Sequence, residues 1–308
     1  MTGFLVVGSV VLAMVVVGLP LAYAVLGDER PELPPPGRRA DVGGGVSVNL
    51  LDHGAGPTLV LIHGISSNAY DWRLSIEALA KRGFRVLAYD RVGYGRSDAR
   101  SDGRFTFDEN AAELLRLLEG EELRDATVVG WSYGGGVAVR AALRDASRIG
   151  RLVLVGSAGP LDDPPQPPLI AKILFSRPVR TWIRWVPPVR AGLRRMGSDF
   201  SFSGSNYPEW WLAQVDANFG RPNTEKTYYS EAEQFDVSGI DPASIERPIL
   251  IVHGTDDRIT PLAIAQGLHH QAKDSELELV EGGSHMLPVT HAERLAEQIT
   301  GFVRRARA

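Results

Sequence analysis

The sequence contains no cysteine. A chain without thiols builds no disulfide scaffold, no thiol nucleophile and no cysteine-ligated zinc or iron–sulfur centre. It also lacks an excess of positive charge, because 33 basic residues stand against 37 acidic ones, for a formal net charge of -4. Nucleic acid is therefore not an expected partner, since phosphate backbones select basic surfaces. The seven histidines include no metal-ligand pattern such as His-Glu-x-x-His, and we expect neither a metal nor a cofactor.

The remaining composition is typical of a globular protein with a full core. Hydrophobic residues make up 44% and charged residues 23% of the 308 residues. This length suits one catalytic domain of about 250 residues with an appendage. A small molecule or a lipid is then the expected ligand.

One long apolar run stands near the start of the sequence. The residues from Phe4 to Leu26 carry no charge and are rich in Val, Leu, Ala and Gly. A helix of this length covers about 30–35 Å, so we predict a single-pass transmembrane anchor over residues 1–27. A cleaved signal peptide followed by export is the alternative, because Ala22-Tyr23-Ala24 places small residues at the spacing of a cleavage site.

Residues 28–45 are predicted to form a linker. Pro34-Pro35-Pro36 is typical of a stiff segment and Gly43-Gly44-Gly45 of a flexible one, which together would hold a domain away from the bilayer. The positive-inside rule places the catalytic domain on the cytoplasmic side, because the nearest basic residues all follow the apolar run. These residues are Arg30, Arg38 and Arg39.

Beyond the linker, short apolar runs alternate with helical periods. Thr106 and Glu109 form a capping box at the start of the clearest helix. Strands that alternate with helices of this length indicate an α/β fold with a mostly parallel, doubly wound sheet, which we assign to residues 46–157 and 246–308. The expected strands are Val46–Leu51, Thr58–His63, Phe84–Asp90, Thr127–Trp131, Arg151–Gly156, Pro248–His253 and Glu276–Glu281.

Residues 158–245 interrupt this pattern and are predicted to form an inserted helical cap. Seven basic residues lie between Leu161 and Phe200. They would suit an anionic membrane surface, or form a solvated face over a cap that packs on its own tryptophans. The aromatic residues of the cap are candidates for the walls of an apolar substrate pocket: Trp182, Trp185, Tyr207, Trp210, Trp211, Phe219, Tyr228 and Tyr229.

The pentapeptide Gly130–Gly134, Gly-Trp-Ser-Tyr-Gly, directly follows an expected strand and leads into a helical run. Its glycines permit a tight strand-to-helix turn that lifts the serine oxygen clear of the sheet. The positive end of the following helix points at the same place and favours negative charge that develops there. Ser132 is therefore the candidate nucleophile.

With this motif, the chain from about Val46 to Ala308 resembles the α/β-hydrolase superfamily. His63-Gly64-Ile65 resembles the oxyanion loop of the family, and Asp90–Ser97 resembles its turn after the fourth strand. The resemblance implies an oxyanion hole made by the backbone N–H groups of Ile65 and Tyr133. A serine at the nucleophile position argues against the epoxide hydrolases and haloalkane dehalogenases of the superfamily, which use an aspartate there.

The base and the acid follow from the same resemblance. The family has the chain order Ser, acid, His, and His285 lies just beyond the last expected strand, at the edge of the sheet where ligands bind. Within Gly254–Pro261, the spacing of the family selects Asp257 rather than its neighbour Asp256 as the acid. Asp162, after the expected strand Arg151–Gly156, is a distant alternative.

These residues together predict hydrolysis of a carboxylic ester through an acyl-enzyme intermediate. The anchor and the aromatic cap favour a lipophilic ester or a lipid as substrate. The same triad also serves cofactor-free haloperoxidases, perhydrolases and C–C bond hydrolases, and some members of the superfamily bind ligands without catalysis. These alternatives stay open at the level of the sequence.

Overall fold

The structure, a computed structural model, describes most of the chain, namely residues 32–161, 173, 176, 179, 186–204 and 206–305. The predicted anchor lies outside the described residues. Within those ranges, no helix is both long enough and apolar enough to cross a membrane. The chain divides into two compact units, of which the larger comprises Glu32–Leu161 and Asp199–Ala308 and the smaller includes Asp162–Ser198.

The larger unit is built on an eight-stranded sheet. Its strands are β1 (Arg38–Asp41), β2 (Ser47–Gly54), β3 (Thr58–Ile62), β4 (Arg85–Tyr89), β5 (Ala126–Trp131), β6 (Ile149–Val155), β7 (Ile249–Gly254) and β8 (Ser275–Val280). They lie in the order β1-β2-β4-β3-β5-β6-β7-β8. Only the pairs β1–β2 and β2–β4 are antiparallel among these neighbours. The predicted mostly parallel α/β sheet is thereby confirmed.

Helices cover both faces of this sheet. The core helices are α1 (Arg73–Lys81), α2 (Phe107–Gly120), α3 (Tyr133–Arg144), α7 (Leu262–Gln271), α8 (Leu287–Thr290) and α9 (Ala292–Arg305). Side chains of β3 alternate between the faces: Val60 and Ile62 pack with α2, α3 and α7, whereas Leu59 and Leu61 pack with α1 and α9. Parallel strands that are buried on both faces consist of continuous apolar runs. These runs allowed the central strands to be predicted from the sequence.

The linker prediction is wrong for its second half. Arg38–Asp41 forms the edge strand β1, in which Ala40 pairs with Val48 of β2. The glycines Gly43–Gly45 form the hairpin turn between the two strands, all three at positive φ. Ala40 is the one buried residue of this edge strand, and the fully buried Val42 follows it. The other three residues of the strand are charged, so the sequence shows no apolar alternation there.

Helices also form the described part of the insert between β6 and β7. They are α4 (Pro187–Ser201), α5 (Glu209–Phe219) and α6 (Pro222–Glu233). Several aromatic residues of the insert pack on one another: the ring of Phe202 lies 4.9 Å from that of Trp211, and Phe219 lies 5.6 Å from Tyr228. Packing thus accounts for these rings. Trp182 and Trp185 lie outside the described residues.

Helix α5 is hydrogen-bonded to the loop that follows β3. Asn218 Nδ2 donates to the carbonyls of Ser66 and Ser67, at 3.2 and 3.1 Å. Gln214 Nε2 donates to Oδ1 of Asp71, a residue only 2% exposed. Burial raises the pKa of Asp71 to about 7, although hydrogen bonds from Ser67 and Gln214 act in the opposite direction. Asp71 therefore connects the loop to the cap helix through a buried carboxyl whose pKa lies near neutrality.

Asp71→Asn tests this titration. A carboxyl whose folded-state pKa is raised loses its proton in the unfolded chain first, so the stability of the wild type falls as pH rises from about 4 to about 7. One proton gives a slope approaching about 1.4 kcal/mol per pH unit. We expect D71N to flatten this part of the profile in urea unfolding between pH 4.5 and 8. Glu281→Gln, at an exposed carboxyl, is the control and should keep the wild-type slope. If the unfolding free energies of D71N and the wild type changed in parallel with pH, the account would be contradicted.

Candidate active site

Ser132 lies in a sharp turn between β5 and α3. Its backbone has φ 55° and ψ -121°, a conformation that a residue with a Cβ rarely adopts. Glycines on either side permit the turn: a Cβ at Gly130 would lie 2.3 Å from the carbonyl oxygen of Gly134, and one at Gly134 would lie 2.4 Å from that of Ile62. Ser132 itself is 7% exposed. The predicted strand-turn-helix geometry is therefore present.

His285 and Asp257 form a hydrogen-bonded pair at the same edge of the sheet. Asp257 follows β7 and His285 follows β8, so the carboxyl ends of neighbouring parallel strands bring them together. Nδ1 of His285 lies 2.7 Å from Oδ2 of Asp257. When Nδ1 donates this bond, Nε2 is left as the proton acceptor. The pair thus has the geometry of a base and its orienting acid.

The carboxylate of Asp257 is held from both sides. The amides of Ile259 and Thr260 each donate to Oδ1 at 2.8 Å, and Oγ1 of Thr260 donates to Oδ2 at 2.7 Å. Burial acts to raise the pKa of Asp257, but the bonds from His285 and Thr260 outweigh it and hold the pKa below its ordinary value. Asp257 is therefore ionised and available to stabilise an imidazolium.

Contacts through Trp131 and Gly156 bring this pair beside Ser132. Trp131 precedes Ser132; its ring lies 5.5 Å from that of His285, and its Nε1 donates to the backbone carbonyl of His285 at 2.9 Å. On the neighbouring strand end, a Cβ at Gly156 would lie 3.1 Å from Oδ2 of Asp257 and 3.4 Å from Nδ1 of His285. The amide of Ser132 donates to Val155, the residue before Gly156.

The two predicted oxyanion residues adjoin this turn. Tyr133 is the first residue of α3, and the amide of a first helical residue has no acceptor within its helix. Ile65 follows Gly64, whose own position is in contact with the nucleophile, because a Cβ there would lie 3.1 Å from Cβ of Ser132. Both amides therefore belong to segments that meet at Ser132.

His63 is a structural residue of this loop. Its Nε2 accepts from the amide of Arg91 at 2.9 Å, so Nδ1 carries the proton and donates to the carbonyl of Gly64 at 2.7 Å. Burial, together with the charge of Arg91, holds the pKa of His63 well below its ordinary value. A buried, neutral imidazole with both nitrogens bonded is not available as a base.

Of the two alternative acids, the structure describes Asp256. Asp256 is exposed, and its amide donates to the carbonyl of Gly283, so it belongs to the turn beside the acid. Asp162 lies outside the described residues. In the part of the chain that the structure describes, His, Asp and Glu side chains form no group that could hold a metal ion.

Two polar contacts of the site could not be predicted from the sequence. Thr260 contacts the acid, as described above. Arg91 and Glu231 form a buried ion pair across 140 residues of sequence, with Nη2 of Arg91 donating to Oε2 of Glu231 at 3.1 Å. Arg91 was visible only as part of the family's turn, and nothing marked Glu231 as its partner.

A serine in a tight turn, with a His–Asp pair beside it at the carboxyl edge of a parallel sheet, is the arrangement found in the serine hydrolases of doubly wound proteins. A family model described as alpha/beta hydrolase fold matches residues 57–292. The chain belongs to this family.

Known proteins of several activities resemble the chain. A 2-hydroxymuconate semialdehyde hydrolase from Pseudomonas sp. (strain CF600) is 29% identical over 88% of this chain and 95% of its own length. A non-heme chloroperoxidase from Streptomyces lividans is 30% identical over 81% of this chain and 92% of its own. An esterase from Exiguobacterium antarcticum superimposes with a TM-score of 0.74 at 22% identity, covering 87% of this chain and 99% of the esterase. The relatives thus share the fold and differ in reaction.

Thr260→Val removes the hydroxyl that donates to Asp257 and keeps the shape of the side chain. We expect the rate of reaction with a fluorophosphonate to fall about tenfold, because the acid then fixes the imidazole less firmly. Thr255→Val, in the same loop but bonded to Gly282 instead, is the matched control. Equal rates for T260V and the wild type would show that the hydroxyl has no part in positioning the acid.

Proposed function

We propose that this chain is a serine hydrolase that cleaves carboxylic esters through an acyl-enzyme intermediate. The observation that supports this most strongly is the 2.7 Å bond between His285 and an ionised Asp257, beside the turn that holds Ser132. A serine hydroxyl is a weak nucleophile until a positioned base takes its proton. The pair supplies a base of this kind.

The reaction follows from these positions. Oγ of Ser132 attacks the ester carbonyl while Nε2 of His285 takes the hydroxyl proton, and the carbonyl oxygen becomes an oxyanion. The amides of Ile65 and Tyr133 stabilise that oxyanion, and Asp257 stabilises the imidazolium. His285 then gives its proton to the departing alcohol. Water, activated by the same imidazole, releases the acid and restores Ser132.

The substrate in this proposal is lipophilic and the enzyme is membrane-anchored. The support lies in the sequence, where the uncharged run Phe4–Leu26 is long enough to span a bilayer. An anchored hydrolase would meet esters that partition into the bilayer.

Cleavage of a C–C bond is the second candidate, favoured by the similarity to the 2-hydroxymuconate semialdehyde hydrolase. A semialdehyde of this kind presents a carbonyl to the same serine or to a water that the same base activates. The leaving group would then be a stabilised carbon rather than an alkoxide. The two candidates use one site and differ in the substrate that the cap admits.

Turnover of p-nitrophenyl esters of increasing chain length by the full-length protein in detergent tests the first candidate. We expect hydrolysis by the wild type, a preference for longer chains, and a fall of at least about 10⁴-fold in kcat for Ser132→Ala, because the nucleophile is lost. Ser147→Ala, at an exposed serine just beyond the opposite end of α3 from Ser132, should match the wild type.

Two other outcomes would change the proposed function. Turnover of a 2-hydroxy-6-oxo-dienoate in the absence of ester hydrolysis would favour C–C bond cleavage. A folded wild type that turns over neither substrate and does not react with a fluorophosphonate would contradict both candidates, and a ligand-binding role would then replace them.

A further inference from the structure

A buried positive charge lies behind the peptide that carries the Ile65 amide. The N–H of Ile65 and the C=O of Gly64 belong to one planar peptide group. In a trans peptide these two bonds point in opposite directions, so a group that fixes the carbonyl oxygen also fixes the direction of the N–H. The chain has no cis peptide among its described residues.

Two donors hold that carbonyl. Nδ1 of His63 lies 2.7 Å and Nη2 of Arg91 lies 3.0 Å from the oxygen of Gly64. A second nitrogen of the same guanidinium, Nε, donates to the carbonyl of His63 at 3.3 Å. A cation bonded to a carbonyl oxygen polarises the whole peptide and strengthens its N–H as a donor, most of all where water is excluded.

The cap and α2 hold Arg91 in place. Its side chain is 1% exposed and that of its partner Glu231, on α6, is 0% exposed. Asn110 Oδ1 accepts from Nη1 of Arg91 at 2.9 Å, and the hydroxyl of Tyr94 donates to Glu231 at 2.7 Å. Burial opposes the charged form of Arg91, but Glu231 outweighs it and raises the pKa above its ordinary value. The guanidinium is therefore permanently charged.

The same cation contacts the residue that follows the nucleophile. Cζ of Arg91 lies 4.5 Å from the centre of the Tyr133 ring, which is stacked on Phe107 at 4.2 Å. The hydroxyl of Tyr133 donates to the carbonyl of Phe105 at 2.9 Å. One guanidinium thus adjoins both segments whose amides face the developing oxyanion in the proposed reaction.

We infer that Arg91, held by Glu231, is a positioning residue of the oxyanion hole: it orients and polarises the Gly64–Ile65 peptide. This inference rests on the proposed function, since an oxyanion must form for the peptide to act on it. It also makes α6 of the cap a contributor to catalysis, through an ion pair buried away from the substrate.

The test removes the whole ion pair at once. A single substitution would leave an unpaired buried charge and endanger the fold, whereas apolar residues in place of both partners are commonly tolerated. In Arg91→Met with Glu231→Leu, we expect kcat for the p-nitrophenyl ester to fall about 10- to 50-fold, less than the loss of an entire oxyanion donor. KM should stay within about threefold, because the ion pair is buried away from the substrate and its removal leaves ground-state binding unchanged. Arg91→Lys, which keeps the charge, should recover part of the loss.

The matched control is a second Arg–carboxylate pair, Arg140→Met with Asp108→Leu, which joins α3 to α2 at the surface. It should keep the wild-type kcat. A folded Arg91/Glu231 double variant with a kcat within twofold of the wild type would overturn the inference, provided that the wild type turns over the ester.

The amide resonance of Ile65 gives a readout that needs no turnover. In ¹H–¹⁵N spectra, we expect its proton to move upfield in the double variant, because the peptide is less polarised, while the control pair leaves it in place. An unmoved Ile65 resonance in a folded double variant would overturn the inference even if the wild type were inert. An inert wild type with a shifted Ile65 resonance would instead overturn the proposed function alone.

Discussion

The positive φ of Ser132 is the constraint on which the site depends. Such a backbone costs about 1–3 kcal/mol and persists only where the surroundings enforce it. Here β5 enters and α3 leaves the turn, and the close approach at Gly130 and Gly134 tolerates no side chain. The amide of Ser132 is bonded to Val155 and its carbonyl to Ala158. The sheet that folds the domain therefore also fixes the nucleophile.

The cap is joined to this site through buried polar contacts rather than through apolar packing alone. Gln214 and Asn218 of α5 bind the loop after β3, and Glu231 of α6 binds Arg91, which in turn binds the same loop. The contacts of α5 end on the segment from Ser66 to Asp71, and that of α6 reaches the carbonyl of Gly64 through Arg91. A change in the cap would thus reach the segment that carries one of the oxyanion amides.

Features formed by residues that are contiguous in the chain could be predicted from the sequence. Pairs of residues far apart in the chain could not. The turn at Ser132 could be predicted because strand, glycines and helix are contiguous. His285 and Asp257 needed the family's pattern, and the structure places them within bonding distance. The strand Arg38–Asp41 was missed because edge pairing leaves little apolar periodicity. The Arg91–Glu231 pair was missed because its partners lie 140 residues apart.

Mapping the site of phosphonylation tests the central claim most directly. After brief exposure of the full-length protein to a fluorophosphonate, digestion and mass spectrometry identify the modified residue. The account predicts a single adduct, on Ser132, that forms at least about 10³-fold more slowly in His285→Gln, because the serine then lacks its base. Modification at another serine, or an adduct on Ser132 that forms equally fast without His285, would contradict it.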